Sequence, residues 1–108
     1  MASNGSSRQR LKSALKGTAD ALIAAAEHPK LAPDYAEKLG NYVSEATAAA
    51  RSISRAQSRK VLASELSKQK EKELGRMDRK LRKKHVDHKR RDSAMENFET
   101  MISFLKQT

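Results

Sequence analysis

The sequence predicts an all-α protein built on an antiparallel helical hairpin with a long second helix. Its two prolines, Pro29 and Pro33, stand four residues apart, and apolar residues recur every three or four positions on both sides of them. That recurrence is the spacing of an amphipathic helix. Because proline interrupts a helix, the pair marks the turn between two helices. A connection this short favours antiparallel packing of the helices that it joins.

Residues 1–7 precede the first helix. They are small and polar without periodicity, which predicts a disordered tail. A helix is then expected from Arg8 to about His28. Its apolar residues would share one face, and they are Leu11, Leu15, Ala19, Leu22, Ile23 and Ala26.

The second helix is expected to start near Asp34, whose carboxylate suits the positive end of a helix dipole. No proline follows Pro33, so this helix can run very long. A heptad seam is apolar over residues 35–56, at 74–81 and at 95–105, with charged stretches between. Gly75 is the best candidate for a break, since glycine costs about 1 kcal/mol relative to alanine inside a helix. We expect residues 8–67 to form the hairpin and residues 68–108 to form a basic helical or coiled-coil extension.

The apolar stripes also predict a homodimer. Two amphipathic helices expose more apolar surface than a monomer of this size can cover. Self-pairing of the second helix would cover that surface and join two hairpins into a four-helix bundle or coiled coil. The expected core consists of Leu11, Leu15, Leu22, Ile23, Leu39, Tyr42, Val43, Ala46, Ala49 and Ile53.

The charge of the chain points to a polyanionic partner. The 108 residues include 23 lysines and arginines against 13 aspartates and glutamates, a net charge of +10. Residues 68–92 hold twelve of the basic side chains and five of the acidic ones. Such a balance favours RNA, DNA or an acidic membrane face as partner. The longest strongly apolar run, residues 21–26, is far shorter than the roughly 18 to 20 residues of a membrane span, so we expect a soluble, intracellular chain with no membrane partner.

The sequence contains no constellation suited to catalysis. Cysteine is absent, which excludes disulfide scaffolds, thiolate zinc sites and thiol nucleophiles. There is no glycine-rich phosphate loop and no nucleophile elbow. His85, His88 and Asp92 have a spacing that one helix face could use for a metal, but the surrounding lysines and arginines oppose a divalent cation. We therefore expect no enzyme, no metal, no cofactor and no small-molecule substrate.

A row of arginines is the best candidate for a nucleic-acid site. Arg51, Arg55 and Arg59 recur every four residues with serines between them, and on one helix they would form a ridge about 12 Å long. Guanidinium groups and hydroxyls in a line can contact successive phosphates and ribose hydroxyls; the alternative is a solvent-exposed helix face. Only four residues are aromatic, and three of them lie on or beside apolar seams, which favours a duplex over stacked single-stranded bases. The candidate contacts are Arg51, Ser54, Arg55, Ser58, Arg59 and Lys60, with Lys12 and Lys16 of the first helix.

The basic run over residues 80–91 has three interpretations. It is a secondary nucleic-acid contact, a nuclear-import signal or a solubilising face. Its cations are long and mobile, so we expect the run to add affinity or to direct localisation without setting duplex specificity. The cations are Lys80, Arg82, Lys83, Lys84, Lys89, Arg90 and Arg91.

Several short stretches within residues 31–62 form a pattern: Ala32-Pro33, then Leu39, Asn41 and Tyr42, then Ser52-Ile53-Ser54-Arg55. The pattern resembles the small RNA-silencing suppressors of insect nodaviruses, whose Thr-Val-Ser-Arg stretch is similar to residues 52–55. The resemblance implies a first helix, a short loop and a longer second helix that pairs with a twin into an antiparallel four-helix bundle on double-stranded RNA. It also implies that Arg55 contacts the duplex.

The chain departs from that family at three positions of the second helix. Glu37 stands where the family has an arginine, and Ala48 and Ala50 stand where it has lysines. Arg51, Arg59 and Lys60 are candidate substitutes for these contacts.

Two functions from different classes are therefore expected. The first is sequence-independent binding of double-stranded RNA that shields duplexes from silencing in the host cytoplasm, as the resemblance implies. The second is a coiled-coil scaffold subunit whose seam over residues 74–105 docks on partner helices, with its charge serving solubility.

Overall fold

The computed structural model describes residues 3–108, with side chains from Ser6 onward. Its helices are α1 (Ser3–Glu27), a short 3-10 helix (Pro29–Leu31), α2 (Ala32–Ala56), α3 (Arg59–Lys83) and α4 (His88–Leu105). The described residues contain no β-strand, so the predicted all-α class is confirmed. No helix among them is both long enough and apolar enough to cross a membrane.

The first helix begins earlier than the sequence predicts. Of the predicted disordered tail, Met1 and Ala2 lie outside the described residues, whereas residues 3–7 belong to α1. Ser7 is buried, with its hydroxyl donating a hydrogen bond to Ser52 Oγ at 2.9 Å. This contact with α2 stabilises helical residues before Arg8, so α1 begins nearer the N-terminus than expected.

The predicted hairpin of α1 and α2 is present, with its turn at Pro29. Contacts at two levels show that the helices are antiparallel. Near the open end, Arg8 Nη2 donates to Gln57 Oε1 at 3.1 Å. Closer to the turn, Gly17 lies directly against the ring of Tyr42, where any larger residue would overlap the ring.

The prediction of one long second helix is wrong, because α2 ends at Ala56 and α3 begins at Arg59. Ser58 adopts an extended backbone and caps α3, with its Oγ accepting a hydrogen bond from the Val61 amide at 3.1 Å. This reversal lets Leu62 and Leu66 reach the core, where both are fully buried. The break expected at Gly75 does not occur, since that residue lies inside α3.

A second reversal separates α3 from α4. The His85 amide donates to Arg82 O and the Val86 amide donates to Leu81 O, both at 3.0 Å, which is the Schellman arrangement that closes helices. His85 has a φ of 58°, the left-handed conformation that glycine usually supplies at this position. Val86 is buried beyond the turn. Asp87 then starts α4 by accepting a hydrogen bond from the Arg90 amide at 2.9 Å.

The four α-helices of the described residues run up, down, up and down. Arg76 of α3 contacts Asp20 of α1, and Lys106, just after α4, donates to Ser67 of α3 at 3.1 Å. The bundle measures 43 × 24 × 21 Å. The predicted basic extension over residues 68–108 therefore folds back onto the hairpin and completes a bundle within one chain.

The core draws residues from all four helices. Seven of the ten predicted core residues are buried, while Leu39, Tyr42 and Val43 are half-buried. The later part of the heptad seam also faces inward, and its fully buried members include Leu81, Phe98 and Leu105. The apolar surface that suggested a partner copy is thus covered by α3 and α4. The homodimer stays a prediction.

One arginine joins α3 to α1 through polar contacts that are partly exposed to solvent. Arg76 Nη2 lies 2.6 Å from Glu73 Oε1, and Arg76 Nη1 lies 2.7 Å from Asp20 Oδ1. Arg76 Nη2 also donates to the Lys16 carbonyl at 3.3 Å. Burial alone would lower the pKa of Arg76, but the hydrogen bonds to Asp20 and Glu73 raise it above its ordinary value. These contacts set the register of α3 against α1.

Candidate nucleic-acid interface

Arg51 and Arg55 lie on the outer face of α2, one turn apart. Both are exposed, on the side of the helix opposite the fully buried Ala49 and Ile53. With Ala48, Ser52 and Ala56, the two arginines line a shallow, open groove. Small residues around the two guanidinium groups leave them accessible to a large, flat partner.

The predicted ridge does not include Arg59, because α2 ends before that residue. Arg59 and Lys60 are both exposed, but they stand on the first turn of α3. The serine hydroxyls are also less available than the sequence suggested. Ser54 is half-buried, and the half-buried Ser58 uses its oxygen to cap α3. The continuous row of guanidinium groups and hydroxyls is therefore replaced by cations on two helix ends.

The hairpin adds two cations that the sequence reasoning missed. The contact between Arg8 and Gln57 brings the start of α1 to the junction of α2 and α3. Arg8 and Arg10 are both exposed there. In an antiparallel hairpin with its turn near residue 30, two facing residues have numbers that sum to about 60. This relation predicts Arg8 beside Ser52, and so near the arginines of α2. We call this end of the bundle the arginine end, formed by Arg8, Arg10, Arg51, Arg55, Arg59 and Lys60.

The arginine end has no compensating negative charge in the segments that build it. Residues 3–19 and 46–64 contain no aspartate or glutamate. None of the six cations forms an ion pair with a described carboxylate. Three acidic residues flank these segments. Asp20 pairs with Arg76, Glu45 is exposed on α2, and Glu65 is buried and accepts a hydrogen bond from Gln69 at 3.0 Å. A surface of this kind attracts polyanions at long range.

Lys12 and Lys16 extend the basic surface from the arginine end toward the middle of the bundle. Both are exposed on α1 and follow Arg8 at four-residue spacing, so the three side chains share one stripe. The structure therefore joins these predicted contacts to the arginine end.

The basic run over residues 80–91 lies at the opposite end of the bundle. It is divided between the end of α3 and the start of α4 by the turn at His85. Three of its arginines are engaged within the protein. Arg82 Nε lies 3.1 Å from Asp78 Oδ1, Arg90 Nε lies 3.2 Å from Asp87 Oδ1, and Arg91 Nη1 donates to Val86 O at 3.2 Å.

The histidines of this region do not assemble into a metal site. His85 lies in the turn, while His88 Nε2 lies 3.0 Å from Asp92 Oδ2 on α4. Among residues 3–108, no group of three or more histidines and carboxylates is placed to hold a metal ion.

Comparisons with known proteins identify no relative. No protein-family model matches the chain, and neither a curated protein nor a solved structure does.

Proposed function

We propose that the protein binds the backbone of double-stranded RNA, without reading base sequence, through the arginine end. The observation that supports this function is the presence at one end of the bundle of six exposed cations that form no ion pair with a described carboxylate. They come from three helix ends, in segments that contain no acidic residue. Phosphate contacts by arginine and lysine give affinity and position but carry no sequence information.

The aromatic side chains favour a duplex over a single strand. Tyr35 and Tyr42 are half-buried between α1 and α2, and Phe98 is fully buried. Phe104 is 56% exposed, but it is a single ring on α4. Readers of single strands stack successive bases on several rings, which these residues do not provide.

The preference for RNA and the biological role are inferred from the resemblance to nodavirus suppressors. That resemblance implies that Arg55 contacts the duplex, and Arg55 is exposed beside Arg51 on α2. By covering the duplex backbone, the protein would shield RNA from the host silencing machinery in the cytoplasm. This is a binding role that requires no catalytic group and no cofactor.

No observation favours the alternative scaffold function. Its docking seam over residues 74–105 faces inward, and Phe98, Ile102 and Leu105 are at most 1% exposed. Among the described residues, Leu31 and Phe104 are the exposed large hydrophobic residues.

The test is binding of a 20-base-pair RNA duplex, measured by fluorescence anisotropy against salt concentration. We expect a slope of log affinity against log salt of roughly −0.7 to −0.9 for each phosphate neutralised. A duplex of different sequence and equal length should bind within a few-fold, and the same-sequence DNA duplex should bind more weakly.

Arg55→Gln tests the site itself. Loss of one charge-assisted contact costs roughly 1.5 to 3 kcal/mol, a reduction of about tenfold to a hundredfold in affinity, and a dimer with two copies would lose at least a hundredfold. Lys68→Gln with Lys72→Gln is the control for charge alone, because both lysines are exposed in the middle of α3. Parent-like binding by Arg55→Gln, or an equal loss in the control, would refute the proposed site.

A further inference from the structure

The end of the bundle opposite the arginine end carries a second group of exposed cations. We propose that this group is an independent duplex-binding surface, so that one molecule holds two duplexes at once. The inference rests on the proposed RNA-binding function and adds to it a second site and a bridging role. The surface, called here the lysine end, consists of Lys80, Lys83, Lys84 and Lys89, all of which are exposed.

The turn between α3 and α4 assembles the lysine end. Lys80, Lys83 and Lys84 line one groove between α1 and α3. The α1 side of this groove consists of Asp20, Ile23, Ala24 and Glu27. Lys84 also lines a neighbouring groove with His28, His85 and Arg90. Lys89 follows on the first turn of α4. Two helix ends therefore contribute to one surface, as three helix ends do at the arginine end.

The carboxylates of α1, α3 and the α4 cap at this end contact arginines or histidines, and none of them pairs with the four lysines. Carboxylates of α1, α3 and the α4 cap pair with arginines, namely Asp20 with Arg76, Asp78 with Arg82 and Asp87 with Arg90. Asp92 and Glu27 face histidines, at 3.0 Å from His88 and 3.7 Å from His28. The four lysines form no ion pair with any described carboxylate.

The remaining acidic residues near this end lie on α2. Asp34 and Glu37 occupy its first two turns, where they are balanced by the neighbouring Lys30 and Lys38. Residues 20–38 and 76–92, which build this end, contain eleven lysines and arginines against seven aspartates and glutamates, so the end keeps a net positive charge.

The distance between the two ends makes them separate sites for a short duplex. Helices of 25 residues, such as α1 and α3, extend about 37 Å, and the bundle is 43 Å long. Eight base pairs extend only about 27 Å, even at the 3.4 Å rise of DNA. An eight-base-pair duplex can therefore contact one end but not both. Two long RNA duplexes, one bound at each end of the same molecule, would be cross-linked.

Stoichiometry with an eight-base-pair RNA duplex tests this inference, measured by native mass spectrometry and by sedimentation at 150 mM salt. The parent protein should bind two duplexes per chain. Lysine lacks the bidentate contact of arginine, so the lysine end should be the weaker of the two sites. Arg51→Gln with Arg55→Gln should therefore leave one duplex, bound about tenfold to a hundredfold more weakly than by the parent, and Lys83→Gln with Lys84→Gln should leave one duplex bound at nearly the parent affinity. The variant with Lys68→Gln and Lys72→Gln should keep two, which shows that general loss of charge is not the cause.

Bridging is measured by fluorescence cross-correlation between duplexes that carry different dyes. The parent protein should give cross-correlation, and the Lys83→Gln, Lys84→Gln variant should reduce it to background while still binding one duplex. One duplex per parent chain, or bridging that persists in the lysine variant, would overturn the inference and leave the arginine end as the sole site. Absence of any duplex binding by the parent would overturn the proposed function as well.

Discussion

Replacing Arg76 with glutamine should destabilise the bundle far more than removal of an exposed arginine would. The side chain of Arg76 is 18% exposed, and its partner Glu73 is 3% exposed. Loss of the guanidinium leaves the Glu73 carboxylate buried without a counter-charge, and it also removes the link from α3 to Asp20. Breaking a buried ion pair by removing one partner costs about 3 to 5 kcal/mol.

The partial exposure of this network favours the lower end of that range. Asp20 is 49% exposed, so solvent already screens its part of the interaction. We therefore expect a loss of about 3 kcal/mol in the free energy of unfolding and a fall in Tm of roughly 10 °C or more. Urea denaturation followed by circular dichroism measures the first quantity, and a thermal scan measures the second.

Two further variants make the prediction specific. Arg82→Gln removes an arginine from the same helix, but the Arg82 and Asp78 side chains are 63% and 38% exposed, so the expected cost is about 0 to 1 kcal/mol. Adding Glu73→Gln to Arg76→Gln should recover part of the loss, because a neutral amide replaces the stranded carboxylate. The reasoning fails if Arg76→Gln and Arg82→Gln have equal stability, or if the double variant recovers nothing.

Two other predictions concern helix packing and capping. Gly17→Ala should destabilise the protein because the new methyl group overlaps the ring of Tyr42, whereas Gly40→Ala meets no atom within 4 Å and should stabilise it. Both variants gain about 1 kcal/mol from the higher helix propensity of alanine, and only Gly17→Ala also bears an overpacking cost of about 1 to 3 kcal/mol. Their free energies of unfolding should therefore differ by roughly 1 to 3 kcal/mol. Equal gains in stability would contradict the close contact between Gly17 and Tyr42. The hydrogen bond from the Arg90 amide holds the pKa of Asp87 below its ordinary value. The stabilisation that the ionised Asp87 gives the folded protein is therefore complete above the pKa that Asp87 has in the unfolded chain, which is about 4. It is lost as the pH falls below that value and through the lower pKa of Asp87 in the folded protein. Hydrogen exchange of α4 amides should show this loss in the parent and not in Asp87→Asn, which caps the helix without titrating; identical pH profiles would count against it.

The same principles explain which parts of the candidate site could be predicted. Helical periodicity alone predicts an exposed helix face for Arg51 and Arg55, because it fixes the position of a residue relative to its apolar neighbours, and both residues are exposed. Arg59 was misplaced, since its position depended on the continuity of α2 and α3. Arg8 and Arg10 were missed because they reach the site through the hairpin and not through a local motif.

The breaks in the second helix were hidden for a related reason. Ser58 and His85 end helices through specific hydrogen bonds and a left-handed backbone, and neither residue type interrupts a heptad pattern. Gly75 looked like a better break because of its low helix propensity. Its penalty of about 1 kcal/mol is small beside the burial of Met77 and Leu81 on the same helix.

The sequence by itself determined the all-α class, the turn at Pro29 and most of the inward-facing residues. Each of these follows from interactions between residues that are close along the chain. Only the tertiary structure decided that Phe98, Ile102 and Leu105 complete the core of their own chain, and that the two basic clusters stand at opposite ends. An apolar seam loses water contact equally well against a partner chain or against another helix of its own chain. Periodicity therefore identifies the buried face of a helix, whereas the choice of its neighbour depends on turns and long-range contacts.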